Sequence, residues 1–443
     1  MNEIKKRIPR RIEQTVLNSL KGGVVPRIGL PYITVGRKNE IAALLHDIGI
    51  VEEGGASFRF IVGKYGSGKS FLIQTIRNYA MDKGFIVCDA DLSPERRLQG
   101  TRGQGLATYR ELIGNLATKT KPEGGALSLV LDRWISNVQS AATEETGLEP
   151  GNPSLSAAVD KKIYSITSKI SELVHGYEFG RLLSLYYHSY INDDEETKMK
   201  VLRWFRGEYT LKSEAKSELG VSIIITDDDW YDYLKLFAVF FRLAGYSGMM
   251  IMIDELINIY KIPNAITRQY NYEKILTMYN DTLQGKARYL GIIMGATPQA
   301  LEDRHRGIYS YEALRSRLAE GKFSKPGERD LLAPVIRLEP LTPEEMLVLC
   351  EKLADMHADL YNYQRKITTE DIGNFIKIEY GRVGAEENIT PREIIRDFIE
   401  LSDLLYQHPD KSPADMLDSD EFSYSKSAAV SDKTEEDYTE FKL

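Results

Sequence analysis

The 443-residue chain reads as an α/β protein: a parallel sheet around a phosphate-binding loop, with a large helical insertion and a helical C-terminal piece. Three observations predict this. First, the apolar run Phe58, Phe60, Ile61, Val62 leads straight into Gly63-Lys64-Tyr65-Gly66-Ser67-Gly68-Lys69-Ser70, and a helical pattern (Phe71, Leu72, Thr75, Ile76) follows at once. This is G-x-x-x-x-G-K-S in the strand–loop–helix setting that a P-loop needs. Second, another apolar run, Met249 to Ile253, ends in Asp254-Glu255. Third, strand and helix patterns alternate across 56–92, which indicates parallel pairing.

Taken in order, residues 10–20 carry the apolar spacing of a short helix (Ile12, Val16, Leu17, Leu20), closed by Gly22-Gly23. Pro26, Gly29, Pro31 and Gly36 then mark an extended linker, and a helix is expected at 38–48. The first 36 residues therefore read as an N-terminal helix and linker, and 37–340 as the P-loop domain. A second strand lies at Phe85-Ile86-Val87-Cys88. From about 106 to 245 the period becomes helical (Leu127, Val130, Leu131, Trp134; Ile163, Ile166, Ile170, Leu173), which marks an insertion. Strands return at Tyr289–Met294 and Val335–Leu338. Thr342-Pro343-Glu344-Glu345 and Thr390-Pro391-Arg392-Glu393 are capping boxes with Pro at the first helical position, and they place a helical lid at 341–407. Residues 408–443 hold ten Asp/Glu against four Lys without apolar periodicity, and read as a disordered acidic tail.

Composition excludes several classes. With 42% hydrophobic and 28% charged residues the chain is an ordinary soluble protein, and no apolar run is long enough to cross a bilayer. The N-terminus has charges but no apolar signal core. Two cysteines without metal spacing fit a reduced cytoplasm. A net charge of −8 does not mark a nucleic-acid binder, although Lys5, Lys6, Arg7, Arg10 and Arg11 form either a basic arm or a solvated helix face.

The P-loop glycines let backbone N–H groups converge on a di- or triphosphate at the positive end of the following helix. Lys69 is expected to reach the β- and γ-phosphates of ATP, and the Ser70 hydroxyl to ligate Mg²⁺. Gly63, Gly66, Ser67, Gly68 and Phe71 complete the expected contact set. Asp254 would hold the water shell of the Mg²⁺, and Glu255 would polarise a water for attack, an ordinary strand-end acid being the alternative. Thr297, at the tip of the strand after Gly295-Ala296, suits a polar group facing the γ-phosphate; the alternative is a turn threonine before Pro298. Arg304, Arg306, Arg315 and Arg317 crowd one segment. Arg317 and Arg315 are the candidates for an arginine finger, against a solvated helix face, and Arg392 is placed to reach back over the nucleotide.

Together these residues resemble the AAA+ ATPases. The match adds Val35-Gly36-Arg37-x-x-Glu40 before the first strand, Thr297 at the sensor-1 position, Ile336-x-Leu338-x-Pro340-Leu341-Thr342 leading into the lid, and Pro391-Arg392-Glu393 at sensor 2. The resemblance implies a 5-1-4-3-2 parallel sheet, Gly36 and Arg37 at the nucleotide, and homo-oligomers that bring an arginine of one subunit to its neighbour's ATP. Narrower features resemble the BrxD-like ATP-binding proteins of bacterial BREX anti-phage systems. These are Leu20-Lys21-Gly22-Gly23-Val24-Val25-Pro26, Asp91-Leu92-Ser93-Pro94 after the second strand, and the 185-residue gap from Lys69 to Asp254. That family implies a role in phage defence beside a helicase and on duplex DNA.

Two departures matter. The gap is longer than in compact AAA+ modules, so the insertion is expected to serve a partner or substrate. No winged helix is recognisable after the lid, which removes the simplest DNA-binding device. A DNA-coupled ATPase, with a helicase or other defence proteins as partners, is the reading that follows. A nucleotide-gated assembly switch with slow hydrolysis is the alternative. A small-molecule kinase is disfavoured by the sensor-2-like lid.

Overall fold

β1 (Ala56–Val62), β2 (Ile86–Asp91), β3 (Met249–Asp254), β4 (Leu290–Ala296) and β5 (Val335–Arg337) form a five-stranded sheet in the order β2-β3-β4-β1-β5, with all neighbours parallel. The structure is a computed structural model that describes residues 8–149, 152–171, 173–321, 329–381 and 390–417. It divides into two units: Arg37–Glu339, and Met1–Gly36 together with Pro340–Leu443.

In the first of these units both sheet faces are covered, so its strands are nearly continuous apolar runs whose side chains alternate between two cores. Ile61, Met250, Met252, Ile293 and Ile336 pack with Leu44, Ile48, Leu72 and Ile76 from helices Lys38–Glu52 and Lys69–Asp82. Phe58, Phe60, Cys88, Ile251, Ile253 and Met294 face the opposite way, toward helices Gln104–Gly114, Trp230–Leu243 and Ala265–Leu283. Burial holds the Cys88 thiol far above its ordinary pKa, so it is an inert core residue.

Between β2 and β3 the chain is helical, from Gln104–Gly114 through Leu127–Thr146, Pro153–Ser171, Gly176–Ile191, Glu195–Phe205 and Lys212–Leu219 to Trp230–Leu243. Its aromatic side chains join the sheet's own core. Trp134 meets Phe240, Phe179 meets Phe237 and Trp204 meets Tyr233 edge-on at 5.0–5.4 Å. Such pairs contribute about 0.5–1.5 kcal/mol each beyond their burial. The insertion is therefore fused to the sheet through one continuous core.

The second unit is helical, and here three sequence expectations are corrected. Helix Arg10–Lys21 packs on helices Pro343–Tyr361 and Pro391–Gln407, so the N-terminal segment belongs with the C-terminal helices instead of standing alone. The linker expected to be extended contains a helical turn, Leu30–Ile33, begun by Gly29 at φ 81° and Pro31; Leu30 and Ile33 are buried. The acidic segment does not begin as tail at 408, because Pro413–Leu417 is a helical turn packed on helix Thr369–Gly381, with Leu417 buried. Residues 418–443 lie outside the described residues, as do Lys5, Lys6 and Arg7. The capping box at Thr342 forms reciprocally: Glu345 N–H donates to its hydroxyl (3.2 Å) and its own N–H to Glu345 (3.0 Å). At Thr390, the backbone N–H donates to Glu393 at 3.0 Å.

His357, almost fully buried in this unit, sits between Tyr363 (Nδ1 to Oη, 2.8 Å) and Asp403 (Nε2 to Oδ1, 3.0 Å), and Lys21 pairs with Asp403 at 2.5 Å. A neutral ring satisfies both of its partners, with Nε2–H donating to Asp403 and Tyr363 O–H donating to Nδ1. Burial lowers the His357 pKa from 6.5, and the Asp403 carboxylate opposes part of that shift. Unfolded chains therefore bind the proton first. The stability contribution is present above about 6.5 and is lost as pH falls through the folded value. Thermal melts from about pH 7 to about pH 5 are expected to show a falling melting temperature, with a shallower slope in His357→Gln. An unchanged slope would refute this.

Candidate functional site

Because all five strands are parallel, their C-terminal ends share one edge, where α/β proteins place ligands. β1 ends at the loop Gly63–Gly68, and helix Lys69–Asp82 starts immediately behind it. Gly66 (φ 76°) and Gly68 (φ 93°) adopt left-handed conformations that side chains resist, and these curl the loop. A Cβ on Gly63 would overlap Ser67 Oγ. The helix points its first N–H groups and positive dipole end at the loop. Phe71 lies in its first turn and accepts a bond from the Thr75 hydroxyl at 2.8 Å.

Within the loop, Lys69 Nζ donates to the carbonyls of Gly63 and Lys64, both at 2.9 Å. Ser70 Oγ donates to Asp254 Oδ2 at 2.8 Å, which joins the P-loop to the end of β3. The other oxygen, Asp254 Oδ1, accepts the Glu255 N–H at 2.8 Å. That bond supports Glu255 in a left-handed conformation (φ 61°), uncommon for a non-glycine residue and found most often at functional positions. Glu255 is exposed at the edge. Thr297, at the tip of β4, accepts the Ala300 N–H at 3.2 Å and caps the turn Pro298–Glu302; its O–H proton is left to donate.

Three further parts belong to this edge: Asp91, which the sequence reading did not assign, and Arg37 and Ser67, which it expected at the nucleotide. Asp91 ends β2 in register with Asp254. Burial, and after it the carboxylates of Asp254 and Glu255, push Asp91 up to about 6. Its side chain is still open to solvent at the rim. The signal was present, since an acid closes that strand as one closes β3. Arg37, which begins helix Lys38–Glu52 at φ 58°, donates to the Ser67 carbonyl at 3.1 Å and lies 3.7 Å from Glu40. Glu40 is buried and is also bound by Arg329 at 2.9 Å. Arg37 thus touches the loop's backbone from the side of its own helix. Third, the Ser67 hydroxyl is buried with no hydrogen-bond partner.

The remaining expected residues make other contacts. Arg317 is exposed and bonds Ala313 O in its own helix, Glu312–Leu318, at 2.7 Å; Arg315 lies 3.6 Å from Glu312 in that helix. Gly36 and Arg392 belong to the other unit. There a Cβ on Gly36 would lie 2.8 Å from a Glu345 carboxylate oxygen, and the Arg392 stem runs beside Gly23.

The arrangement can hold a phosphate chain. An orphaned buried hydroxyl, two left-handed glycines, a helix N-terminus, a lysine and a hydroxyl–carboxylate pair converge there. Among the described residues no cluster of three or more His, Cys, Asp or Glu could hold a metal ion by itself. A divalent cation here would take Ser70 and Asp254 from the protein and its other oxygens from phosphate and water, as P-loop Mg²⁺ does.

The family model described as BREX system ATP-binding protein BrxC/D matches residues 8–421. The chain belongs to this family. The match runs through both units and the whole insertion, so the helices between β2 and β3 are part of the BrxC/D pattern. No match is found among curated proteins. Among the described residues no helix is long and apolar enough to cross a membrane.

Proposed function

We propose that this BrxC/D-family protein is an AAA+ type ATPase that binds ATP with Mg²⁺ at the sheet edge and hydrolyses it, coupling turnover to a DNA- or helicase-associated step of anti-phage defence. The observation that carries the reading is the junction of Ser70, Asp254 and Glu255, where the P-loop hydroxyl of Ser70 and the backbone N–H of Glu255 both donate to the Asp254 carboxylate at 2.8 Å. Bound Mg-ATP supplies a γ-phosphoryl group open to attack by water. The loop's N–H groups and Lys69 bind and orient the phosphates, while Ser70 and Asp254 fix the cation. Glu255 accepts the proton of the attacking water, and Thr297 orients that water through its O–H. Arg315 or Arg317, on an exposed helix, reaches a neighbouring copy's phosphates in a homo-oligomer.

The test is steady-state ATP hydrolysis by the wild-type chain with and without duplex DNA, with its oligomeric state followed in parallel. DNA is expected to raise turnover several-fold, and ATP to promote assembly. Tight ATP binding with negligible turnover in both conditions would replace the motor by a nucleotide-gated assembly switch. A chain that stays monomeric with ATP would remove the trans role of Arg315 and Arg317.

A further inference from the structure

We infer that Gly295 is a positioning residue, which holds the Asp254 carboxylate where it can serve Ser70 and Glu255 together. This rests on the nucleotide-site reading above and assigns the residue that keeps the site's acidic half in register. Asp254 follows Ile253, which pairs with Met294 across β3 and β4, so Asp254 stands beside Gly295. A Cβ built on Gly295 would overlap Asp254 Oδ1, lie 2.8 Å from its Cγ and lie 3.2 Å from Ile73 Cδ1. The carboxylate therefore lies across the strand in space that any side chain at 295 would fill. Gly295 has no left-handed backbone, so the need for glycine here is spatial.

Both Asp254 oxygens are committed in that pose, Oδ2 to Ser70 Oγ and Oδ1 to Glu255 N–H, each at 2.8 Å. Rotating the carboxylate away breaks both bonds. Ser70 then loses its orienting partner, and Glu255 loses the bond that supports its left-handed backbone. The bonds from Lys69 to the Gly63 and Lys64 carbonyls do not pass through Asp254. One methyl group at 295 should thus uncouple cation binding and water activation from the grip on the phosphates. Groups that orient a metal's ligands typically change metal affinity or activity about 10- to 100-fold when altered.

Gly291 supplies the control, because it lies four residues earlier on the same face of β4. A Cβ there would meet the tip of Met250 (Cε at 2.6 Å) and Ser57 Oγ at 3.1 Å, in the core and away from the edge. Gly295→Ala and Gly291→Ala should be compared with wild type for fluorescent ATP-analogue binding with Mg²⁺ and with EDTA, for the Mg²⁺ dependence of turnover, and for melting temperature. Gly295→Ala is expected to bind the analogue in EDTA like wild type and to lose the Mg²⁺-dependent gain in affinity. It is also expected to need about 10- to 100-fold more Mg²⁺ at half-maximal turnover and to show a lower kcat at little-changed KM. Gly291→Ala is expected to melt lower while keeping wild-type Mg²⁺ dependence. If Gly295→Ala keeps both the Mg²⁺ gain and kcat, or if Gly291→Ala loses them equally, the positioning role is wrong. Failure of the wild type itself to bind the analogue would overturn the nucleotide-site reading instead.

Discussion

Lys69→Ala loses nucleotide binding while the protein keeps its fold. The ammonium group stands where the loop enters the helix, and it already bonds two carbonyls, Gly63 and Lys64, at 2.9 Å. Facing two phosphates, it makes about two charge-assisted hydrogen bonds worth roughly 1.5–3 kcal/mol each. Their loss weakens binding by about two to four orders of magnitude in Kd. The fold should survive, because Lys69 is the first residue of its helix and contributes nothing to either core. Titration with a fluorescent ATP analogue, alongside a thermal melt, checks both halves. Wild-type affinity in a folded Lys69→Ala chain would move the nucleotide away from this loop.

Glu255→Gln has the opposite signature: nucleotide binding is kept and hydrolysis falls. Glutamine is nearly isosteric and keeps the backbone N–H that donates to Asp254, so the left-handed turn at 255 stays supported. What disappears is the ability to take a proton from water, which costs about 10²- to 10⁴-fold in turnover when a positioned base is removed. Single-turnover hydrolysis with binding measured on the same preparation makes the comparison. Turnover at the wild-type rate would reduce Glu255 to a solvated acid at a strand end.

The two predictions differ in how much of their basis could be read without coordinates. The P-loop is legible because its meaning is local: eight consecutive residues, three of them glycines, must curl one way. β1, β3 and β4 are legible because burial on both faces leaves apolar runs that end where chemistry begins. The contribution of Gly295 is not legible, since only the register of β3 against β4 brings it under Asp254. Arg37 could be matched to a motif, but its bond to the Ser67 carbonyl crosses 30 residues of chain that a one-dimensional pattern does not describe. The grouping of helix Arg10–Lys21 with the C-terminal helices has no local signal at all, and Pro413–Leu417 is too short to show a period. Leu30–Ile33 was hidden by its flanking Gly29 and Pro31, which signal a turn as readily as a helix start.

The strand order also constrains how the molecule comes into being on the ribosome. β1 is made early, yet Phe60 must wait for Met294 on one side and Val335 on the other. Until then this interior strand has both edges open, a state that invites aggregation. The helix that covers the Phe58 face of this strand, Ala265–Leu283, is itself made only after β3, and its Tyr279 packs edge-on against Phe58 at 5.6 Å. Ser70 likewise precedes its partner Asp254 by the whole insertion, so the phosphate cradle is synthesised long before its acidic half. Nascent chains that stop short of β5 therefore lack a complete sheet, and a ligand at its edge can stabilise the fold only after β3 and β4 have been made.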